Sequence, residues 1–254
     1  MKQIPNLFTL LNLVFGCVAI VFILQSGLLI ISDNSGQQFI SIPEKIWMAS
    51  LFIGLAGVVD FLDGFVARLF KASSEMGKQL DSLADMVSFG VAPGMILYQL
   101  LRLSFAQQAD GLDTVMFLPA LAFIVPAAAA YRLAKFNLDN TQQFSFKGVP
   151  TPAAGLLIAS FPLIYWNTDQ EWARELLVNK WFLLGFIAVI SYLMVSSIPI
   201  MSLKFKDFTW KNNLPKLLIV IIAIVAALFL KWLAVPVVFI AYVLVSLAFK
   251  NKIA

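Results

Sequence analysis

The sequence predicts an all-α integral membrane protein, a polytopic helical bundle with about eight transmembrane helices and both termini in the cytoplasm. The first observation is composition: 61% of the 254 residues are hydrophobic and 13% are charged, with a mean hydropathy of +0.89. Soluble domains carry about 25% charged residues. The second observation is a succession of long apolar segments, and the third is the distribution of basic residues between them.

Eight segments are apolar and long enough to cross, or nearly cross, a bilayer core of about 30 Å. The fifth is short. The last two are separated by Lys231 and Trp232, and we interpret them as a tight helical hairpin because about 36 residues exceed a single span. The alternative is one long bent helix. The predicted segments are 7–31, 46–69, 79–104, 115–136, 152–167, 181–201, 214–231 and 233–249.

Basic residues predict the orientation, since cytoplasmic loops carry an excess of lysine and arginine. With the N-terminus in the cytoplasm, most of the 18 basic residues fall on the cytoplasmic side. We therefore expect a protein of the cell (inner) membrane. Residues 1–201 would form a six-helix core, and residues 202–254 a cytoplasmic loop plus a C-terminal two-helix hairpin. The basic residues expected outside are Lys45, Arg102, Arg174, Lys180 and Lys231.

Composition also limits which residue types can act as an acid or base and which partners are expected. The chain has no histidine, so acid–base work near neutral pH would fall to a carboxylate, a lysine, a tyrosine, the single cysteine or a metal-bound oxygen. The net charge of +4 suggests contact with anionic lipid head groups. Basic and aromatic residues are not interleaved as in nucleic-acid-binding proteins, so we expect no nucleic-acid partner.

The stretch DFLDGFVARLFKASSEMGKQLDSLAD, residues 60–85, places four aspartates within or beside apolar sequence. A carboxylate in hydrocarbon costs roughly 2.5–3.5 kcal/mol. Divalent cations would compensate this cost, and Mg²⁺ and Mn²⁺ prefer carboxylate oxygens. Two such ions suit transfer at a phosphorus centre. A solvated helix face is the alternative, but the apolar flanks disfavour it. The aspartates are Asp60, Asp63, Asp81 and Asp85.

Helical spacing groups these residues on two faces. Asp60 and Asp63 are three residues apart and share a face with Gly64, where a glycine lets a ligand approach the backbone. Arg68 follows one turn later, either as a ligand of phosphate or as a positively charged residue at the membrane edge. The second face repeats at four-residue intervals and extends to a serine; its members are Gly77, Asp81, Asp85 and Ser88.

The pattern D-x2-D-G-x2-A-R-x8-G-x3-D-x3-D resembles the signature of the CDP-alcohol phosphotransferase family. Other blocks are similar to the phosphatidylserine synthase branch of that family: PNLFTLLNLVFG, DSLADMVSFGVAPG, YRLAKFN and FKGVPTPAA. This similarity extends to about residue 155, and beyond it only general hydrophobicity matches. The sequence has every fixed residue of the signature: Asp60, Asp63, Gly64, Ala67, Arg68, Gly77, Asp81 and Asp85.

The resemblance implies roles for these residues. The four aspartates would hold two divalent ions, Mg²⁺ or Mn²⁺, and Asp85 would also take the proton of the acceptor hydroxyl. The implied reaction transfers the phosphatidyl group of CDP-diacylglycerol to L-serine, giving phosphatidylserine and CMP. The predicted topology places this site on the cytoplasmic side. A homodimer is also implied. The residues expected against the CDP moiety are Gly64, Arg68 and Gly77.

Residue chemistry suggests part of an acceptor pocket. Serine carries a carboxylate, which an arginine can bind with two hydrogen bonds. Arg132, near the cytoplasmic end of the fourth segment, is the candidate, and the alternative is a charged anchor at the membrane edge. Ser88 and Asn137 could face the same pocket, although Asn137 could equally cap a helix.

Two other functions stay open at this point. Transfer to glycerol phosphate or inositol phosphate would require a cluster of basic residues for the acceptor's phosphate. A divalent-cation transporter would use the four carboxylates as a transit site. It offers no reason for the fixed spacing of the other signature residues, which are Gly64, Ala67, Arg68 and Gly77.

Overall fold

A computed structural model describes residues 4–32, 38–69, 74–108, 117–139, 145–202 and 210–249. Helices dominate these residues, and the strands among them form two short antiparallel pairs. The helices are α1 (Ile4–Gln25), α2 (Ile46–Leu69), α3 (Glu75–Asp85), α4 (Ala92–Ala106), α5 (Phe117–Ala120), α6 (Ile124–Leu138), α7 (Thr151–Asn167), α8 (Glu171–Leu177), α9 (Lys180–Val195), α10 (Trp210–Leu230) and α11 (Ala234–Ala248). The strands are β1 (Leu29–Ser32), β2 (Gln38–Ser41), β3 (Ser145–Lys147) and β4 (Pro199–Met201).

The helices confirm an all-α integral membrane protein. Among the described residues, five helical stretches are long and apolar enough to cross a membrane, and a sixth is added if α8 and α9, bent by 68°, form one span. Large apolar side chains such as Leu24 (65% exposed) and Phe61 (67%) cover their outer faces, as expected where lipid is the solvent. The five stretches are Pro5–Gln25, Ile46–Val66, Glu75–Ala106, Phe117–Leu138 and Asn213–Ala248.

Two features bear on the predicted count of eight spans. Helix α7, the fifth predicted segment, has 17 residues, fewer than the roughly 20 of an ordinary span. The stretch Asn213–Ala248 has 36 residues, but its two halves, α10 and α11, pack against each other. Lys231, between the two halves, has a positive φ of 51°. This packing is consistent with a helical hairpin; the hairpin, the count of eight spans and the cytoplasmic termini stay predictions.

Two predicted segments end earlier than expected. The first segment is predicted to run over 7–31, but the helix ends at Gln25 and the following strand β1 pairs with β2. The sixth is predicted to run over 181–201, but the helix ends at Val195 and the following strand β4 pairs with β3. Hydropathy alone does not distinguish a short apolar strand from the end of an apolar helix.

A π-helical segment, Met86–Val91, connects α3 to α4 directly after Asp85. Single turns of π-helix inside longer helices often occur at functional sites. Two glycines let neighbouring helices approach this segment: a Cβ on Gly16 of α1 would overlap the Ser88 side chain, and one on Gly155 of α7 would lie 2.8 Å from Phe89 Cα. The segment is therefore clamped between α1 and α7.

Candidate active site

Three carboxylates meet where α2 and α3 face each other. Asp60, Asp63 and Asp81 each offer an oxygen, and these oxygens all lie within 4.8 Å of one another. Asp63 is buried, with 7% of its surface exposed, and the other two are half-buried. The spacing predicted from the sequence, three residues on the first helix and a facing stripe on the second, thus brings these aspartates together.

Asp85 lies beside this group of three, one helical turn after Asp81. Only 6% of its surface is exposed, and its carboxylate interacts electrostatically with Asp60, Asp81 and Asp63. Asn12 Nδ2 of α1 donates a hydrogen bond to Asp85 Oδ1 at 3.2 Å. The fourth predicted ligand is therefore buried next to the cluster and held in place from a third helix.

The donor set fits a divalent metal. Carboxylates this close repel one another strongly outside bulk water, and a cation between them removes that repulsion. The oxygens of Asp60, Asp63 and Asp81 lie within 4.8 Å of one another, so a shared cation would offset the repulsion between their charges. The ligands are all oxygen, which suits hard ions of the Mg²⁺ class. The cluster can therefore hold divalent metal.

A cleft of about 540 Å³ opens beside the cluster. Gly64 has no atom within 4 Å of the position a Cβ would take, so its backbone is open to the cleft. A Cβ on Gly77 would lie 3.1 Å from Asn6 Oδ1 and from Ser74 Oγ. The lining residues are Pro5, Asn6, Thr9, Asp63, Gly64, Ser74, Glu75, Gly77, Lys78 and Asp81.

The N-terminus of α3 forms one wall of this cleft. Ser74 caps the helix, and its hydroxyl accepts a hydrogen bond from Gly77 N at 3.0 Å. Helix N-termini attract anions through their backbone N–H groups and dipole. Lys78 adds a positive charge there, and its Nζ donates to Asn137 O at 3.0 Å. The cleft thus has one side lined by carboxylates and, at the N-terminus of α3, another side that attracts anions.

Arg68, predicted to lie against the CDP moiety, belongs to α2 by its backbone. Its side chain lies outside the part of the chain that the structure describes, so its contact with a ligand stays a prediction.

Helix α1 contributes polar residues to which the sequence analysis assigned no role. Thr9 Oγ1 donates a hydrogen bond to Asp63 Oδ2 at 2.8 Å, and Asn12 bonds Asp85 as described above. Both side chains are buried. A signal was present in the sequence: Asn6, Thr9 and Asn12 recur every three residues in an otherwise apolar helix, which places them along one face.

Arg132 of α6 is buried, with 7% of its surface exposed. Its Nη1 donates to Thr151 Oγ1 at 3.1 Å, and its guanidinium lies 5.7 Å from the centre of the Phe136 ring. Arg132 also interacts electrostatically with Asp85. Its Nε has no hydrogen-bond partner among the described residues. The structure thus packs Arg132 inside the helical bundle, and its role at the acceptor stays a prediction.

The other two predicted acceptor residues are already hydrogen-bonded. Ser88 is fully buried, and its hydroxyl donates to Asn12 O at 3.0 Å. Asn137 lies inside the last turn of α6, and its Nδ2 donates to Ser82 Oγ on α3 at 2.8 Å. Asn137 therefore joins α6 to α3. Whether Ser88 and Asn137 line an acceptor pocket stays a prediction.

Thr151, the partner of Arg132, is positioned by the strands next to it. Before it the chain turns at Gly148, where φ is +80° and a Cβ would overlap Met194 O. Strand β4 is in turn held by α11, because Tyr242 Oη donates to Met201 O at 2.8 Å. Thr151, the partner of Arg132, thus begins α7 directly after a segment that is anchored on both sides.

These features define an α-helical membrane protein with a carboxylate cluster for divalent metal beside an open cleft. The sequence model of the CDP-alcohol phosphatidyltransferase family matches residues 2–247, and the chain belongs to this family.

Several similar proteins are named CDP-diacylglycerol–serine O-phosphatidyltransferase. The one from Helicobacter pylori strain J99 is 33% identical over 223 residues, covering 87% of this chain and 80% of the relative. That from Bacillus subtilis is 32% identical over 166 residues, covering 65% and 78%. That from Saccharomyces cerevisiae is 40% identical over 125 residues, covering 46% and 41%. The family and these relatives are transferases by name, so a divalent-cation transporter is not supported.

Proposed function

We propose that this protein transfers the phosphatidyl group of CDP-diacylglycerol to the hydroxyl of L-serine, giving phosphatidylserine and CMP. The observation that carries the proposal is the cluster of Asp60, Asp63 and Asp81 with Asp85 buried beside it. It lies in a chain that is about one-third identical to proteins named for this activity. The rest of the site is consistent with the same reaction.

In this proposal Asp60, Asp63, Asp81 and Asp85 bind two divalent ions, Mg²⁺ or Mn²⁺. Such ions neutralise phosphate charge and stabilise the oxygen that leaves phosphorus. The CDP moiety occupies the cleft beside the cluster, against Gly64, Arg68 and Gly77. The open backbone at Gly64 and the N-terminus of α3 support this placement.

Asp85 is the proposed general base. It takes the proton of the serine hydroxyl while the serine oxygen forms a bond to the phosphorus that carries diacylglycerol. The bond from this phosphorus to the CMP oxygen breaks, and CMP leaves. The chain has no histidine that could act instead, and the bond from Asn12 fixes the Asp85 carboxylate.

Arg132 is the proposed partner of the serine carboxylate, with Ser88 and Asn137 as further predicted residues of the acceptor pocket. A buried arginine whose Nε has no hydrogen-bond partner among the described residues suits one carboxylate. The acyl chains of the donor stay in the surrounding lipid.

The proposed topology has eight spans, both termini in the cytoplasm and a cytoplasm-facing site, in the cell (inner) membrane. It counts α3 with α4 and α5 with α6 as single spans, takes α9 as the sixth span, and leaves α8 in the outer loop before it. Residues 1–201 form the six-helix core, and residues 202–254 form the loop and the hairpin. A homodimer is part of the proposal.

A panel of acceptors tests the function. Purified protein receives CDP-diacylglycerol and Mn²⁺ with serine, glycerol 3-phosphate, inositol phosphate or ethanolamine, and CMP release is measured. Release with serine alone supports the proposal. Release with a phosphorylated alcohol would keep the aspartate mechanism and overturn the choice of acceptor.

A further inference from the structure

Two buried side chains that interact with Asp85 each have one atom without a hydrogen-bond partner: an acceptor on Asn12 and a donor on Arg132. Five buried side-chain atoms among the described residues have no partner: Asn12 Oδ1, Ser50 Oγ, Arg132 Nε, Trp166 Nε1 and Ser191 Oγ. Asn12 bonds Asp85 directly, and Arg132 interacts with it electrostatically. One atom therefore offers a free acceptor beside the proposed base, and the other a free donor.

The unpaired Asn12 Oδ1 calls for a physical explanation, because native proteins pair nearly all of their buried polar atoms. Asn12 is fully buried. Its Nδ2 donates a hydrogen bond to Asp85, and its backbone carbonyl accepts one from the Ser88 hydroxyl. Holding Asp85 requires only the Nδ2 donor, so this role leaves Oδ1 unexplained.

An α-amino acid with a side-chain hydroxyl matches these groups. Its ammonium, carboxylate and hydroxymethyl groups branch from one carbon atom, so their three protein partners must be neighbours. We propose that Asn12 is an acceptor-binding residue whose Oδ1 accepts a hydrogen bond from the ammonium of serine, while Arg132 Nε donates to the carboxylate and Asp85 receives the hydroxyl proton. This inference rests on the proposed transfer to serine and adds the residue that recognises the ammonium.

The arrangement has a consequence for selectivity. Ethanolamine retains the ammonium and lacks the carboxylate, whereas 3-hydroxypropionate retains the carboxylate and lacks the ammonium. Each analogue therefore loses one of the two contacts and keeps the other. Of the two analogues, loss of the Asn12 contact should therefore weaken binding of ethanolamine only, and loss of the Arg132 contact should weaken binding of 3-hydroxypropionate only. A residue that acts only in folding, or only by holding Asp85, would affect both analogues equally.

The test crosses two variants with three acceptors. KM is measured for serine, ethanolamine and 3-hydroxypropionate with wild type, Asn12→Ala and Arg132→Ala; an analogue that is not turned over is measured by its inhibition of serine turnover. Asn12→Ala is expected to raise the constants for serine and ethanolamine about tenfold or more, the range of a charge-assisted hydrogen bond. The constant for 3-hydroxypropionate stays unchanged. Arg132→Ala gives the opposite pattern for the two analogues.

Ser50→Ala is the matched control. It removes another buried, unpaired polar atom, on α2 but ten residues before Asp60, about 15 Å along the helix. It is expected to leave all three constants unchanged. For a variant too slow to assay, binding of labelled serine in the presence of CMP is measured by equilibrium dialysis.

An equal loss with all three acceptors, carried by kcat, would overturn the proposal and leave Asn12 as a positioning residue for Asp85. Unchanged serine binding in Asn12→Ala would overturn it as well. If wild type does not use serine at all, the proposed function itself fails. If serine is used but the crossed pattern is absent, only this inference fails.

Discussion

The hydroxyl of Thr9 on α1 lies 2.8 Å from the Asp63 carboxylate on α2 and donates a hydrogen bond to it. The two residues are 54 positions apart in the chain. The bond fixes the orientation of a proposed metal ligand from a neighbouring helix. Groups that orient ligands in this way typically contribute tenfold to a hundredfold in metal affinity.

Thr9→Val should therefore weaken metal binding. Valine keeps the shape of threonine but cannot donate, so the Mn²⁺ concentration for half-maximal CMP release should rise about tenfold. Thr9→Ser keeps the donor and serves as the control. Identical Mn²⁺ titrations for Thr9→Val and wild type would remove this bond from the metal site.

Asp60→Asn should raise the Mn²⁺ concentration for half-maximal CMP release more than Thr9→Val does. It replaces a charged ligand with a neutral one at the point where three carboxylates meet. Saturating Mn²⁺ should recover part of the activity. Asp169→Asn is the control: this carboxylate has 87% side-chain exposure and pairs with Lys231 at 3.4 Å. An unshifted Mn²⁺ titration in Asp60→Asn would contradict the ligand assignment.

Asp85→Asn should lower turnover by about 10²-fold or more, since general-base catalysis contributes 10²–10⁴-fold. The amide has nearly the same shape as the carboxylate, so folding and binding of CDP-diacylglycerol should persist. Single-turnover CMP release and lipid binding measure the two effects separately. Normal turnover would exclude Asp85 as the base.

Gly64→Ala and Gly77→Ala should differ. At Gly64 the new methyl enters open space, so the melting temperature should stay unchanged while KM for CDP-diacylglycerol rises severalfold. At Gly77 the methyl lies 3.1 Å from Asn6 Oδ1 and Ser74 Oγ, so at least one of these side chains must shift and the capping bond of Ser74 should weaken. Gly54→Ala, on the same helix as Gly64 and also in open space, is the control. Equal KM values for Gly54→Ala and Gly64→Ala would count against CDP in the cleft.

Thr151→Val should loosen Arg132 by removing the acceptor of its Nη1 hydrogen bond. The expected result is a rise of about tenfold in KM for serine, with little change in KM for the lipid. Thr151→Ser should restore the wild-type value. Equal changes in both KM values would indicate a general packing defect instead of a role at the acceptor.

The sequence was sufficient to locate most helices and the aspartate cluster. Long apolar runs define helices in a membrane protein, and spacings of three and four residues place Asp60, Asp63 and Asp81 on facing surfaces. The end of α1 at Gln25 was missed because Leu29–Ser32 is as apolar as the helix before it. Thr9 and Asn12 were missed because their partners, Asp63 and Asp85, are 54 and 73 residues away. Such pairs arise from tertiary packing, which local spacing does not encode.

The central claim is that the cluster catalyses transfer of a phosphatidyl group from CDP-diacylglycerol to serine. The most direct measurement follows labelled serine into lipid together with CMP release, with and without Mn²⁺, for wild type and Asp85→Asn. The account predicts one labelled phosphatidylserine for each CMP, only with the metal and only in wild type. CMP release without label in the lipid, or equal labelling in Asp85→Asn, would contradict it.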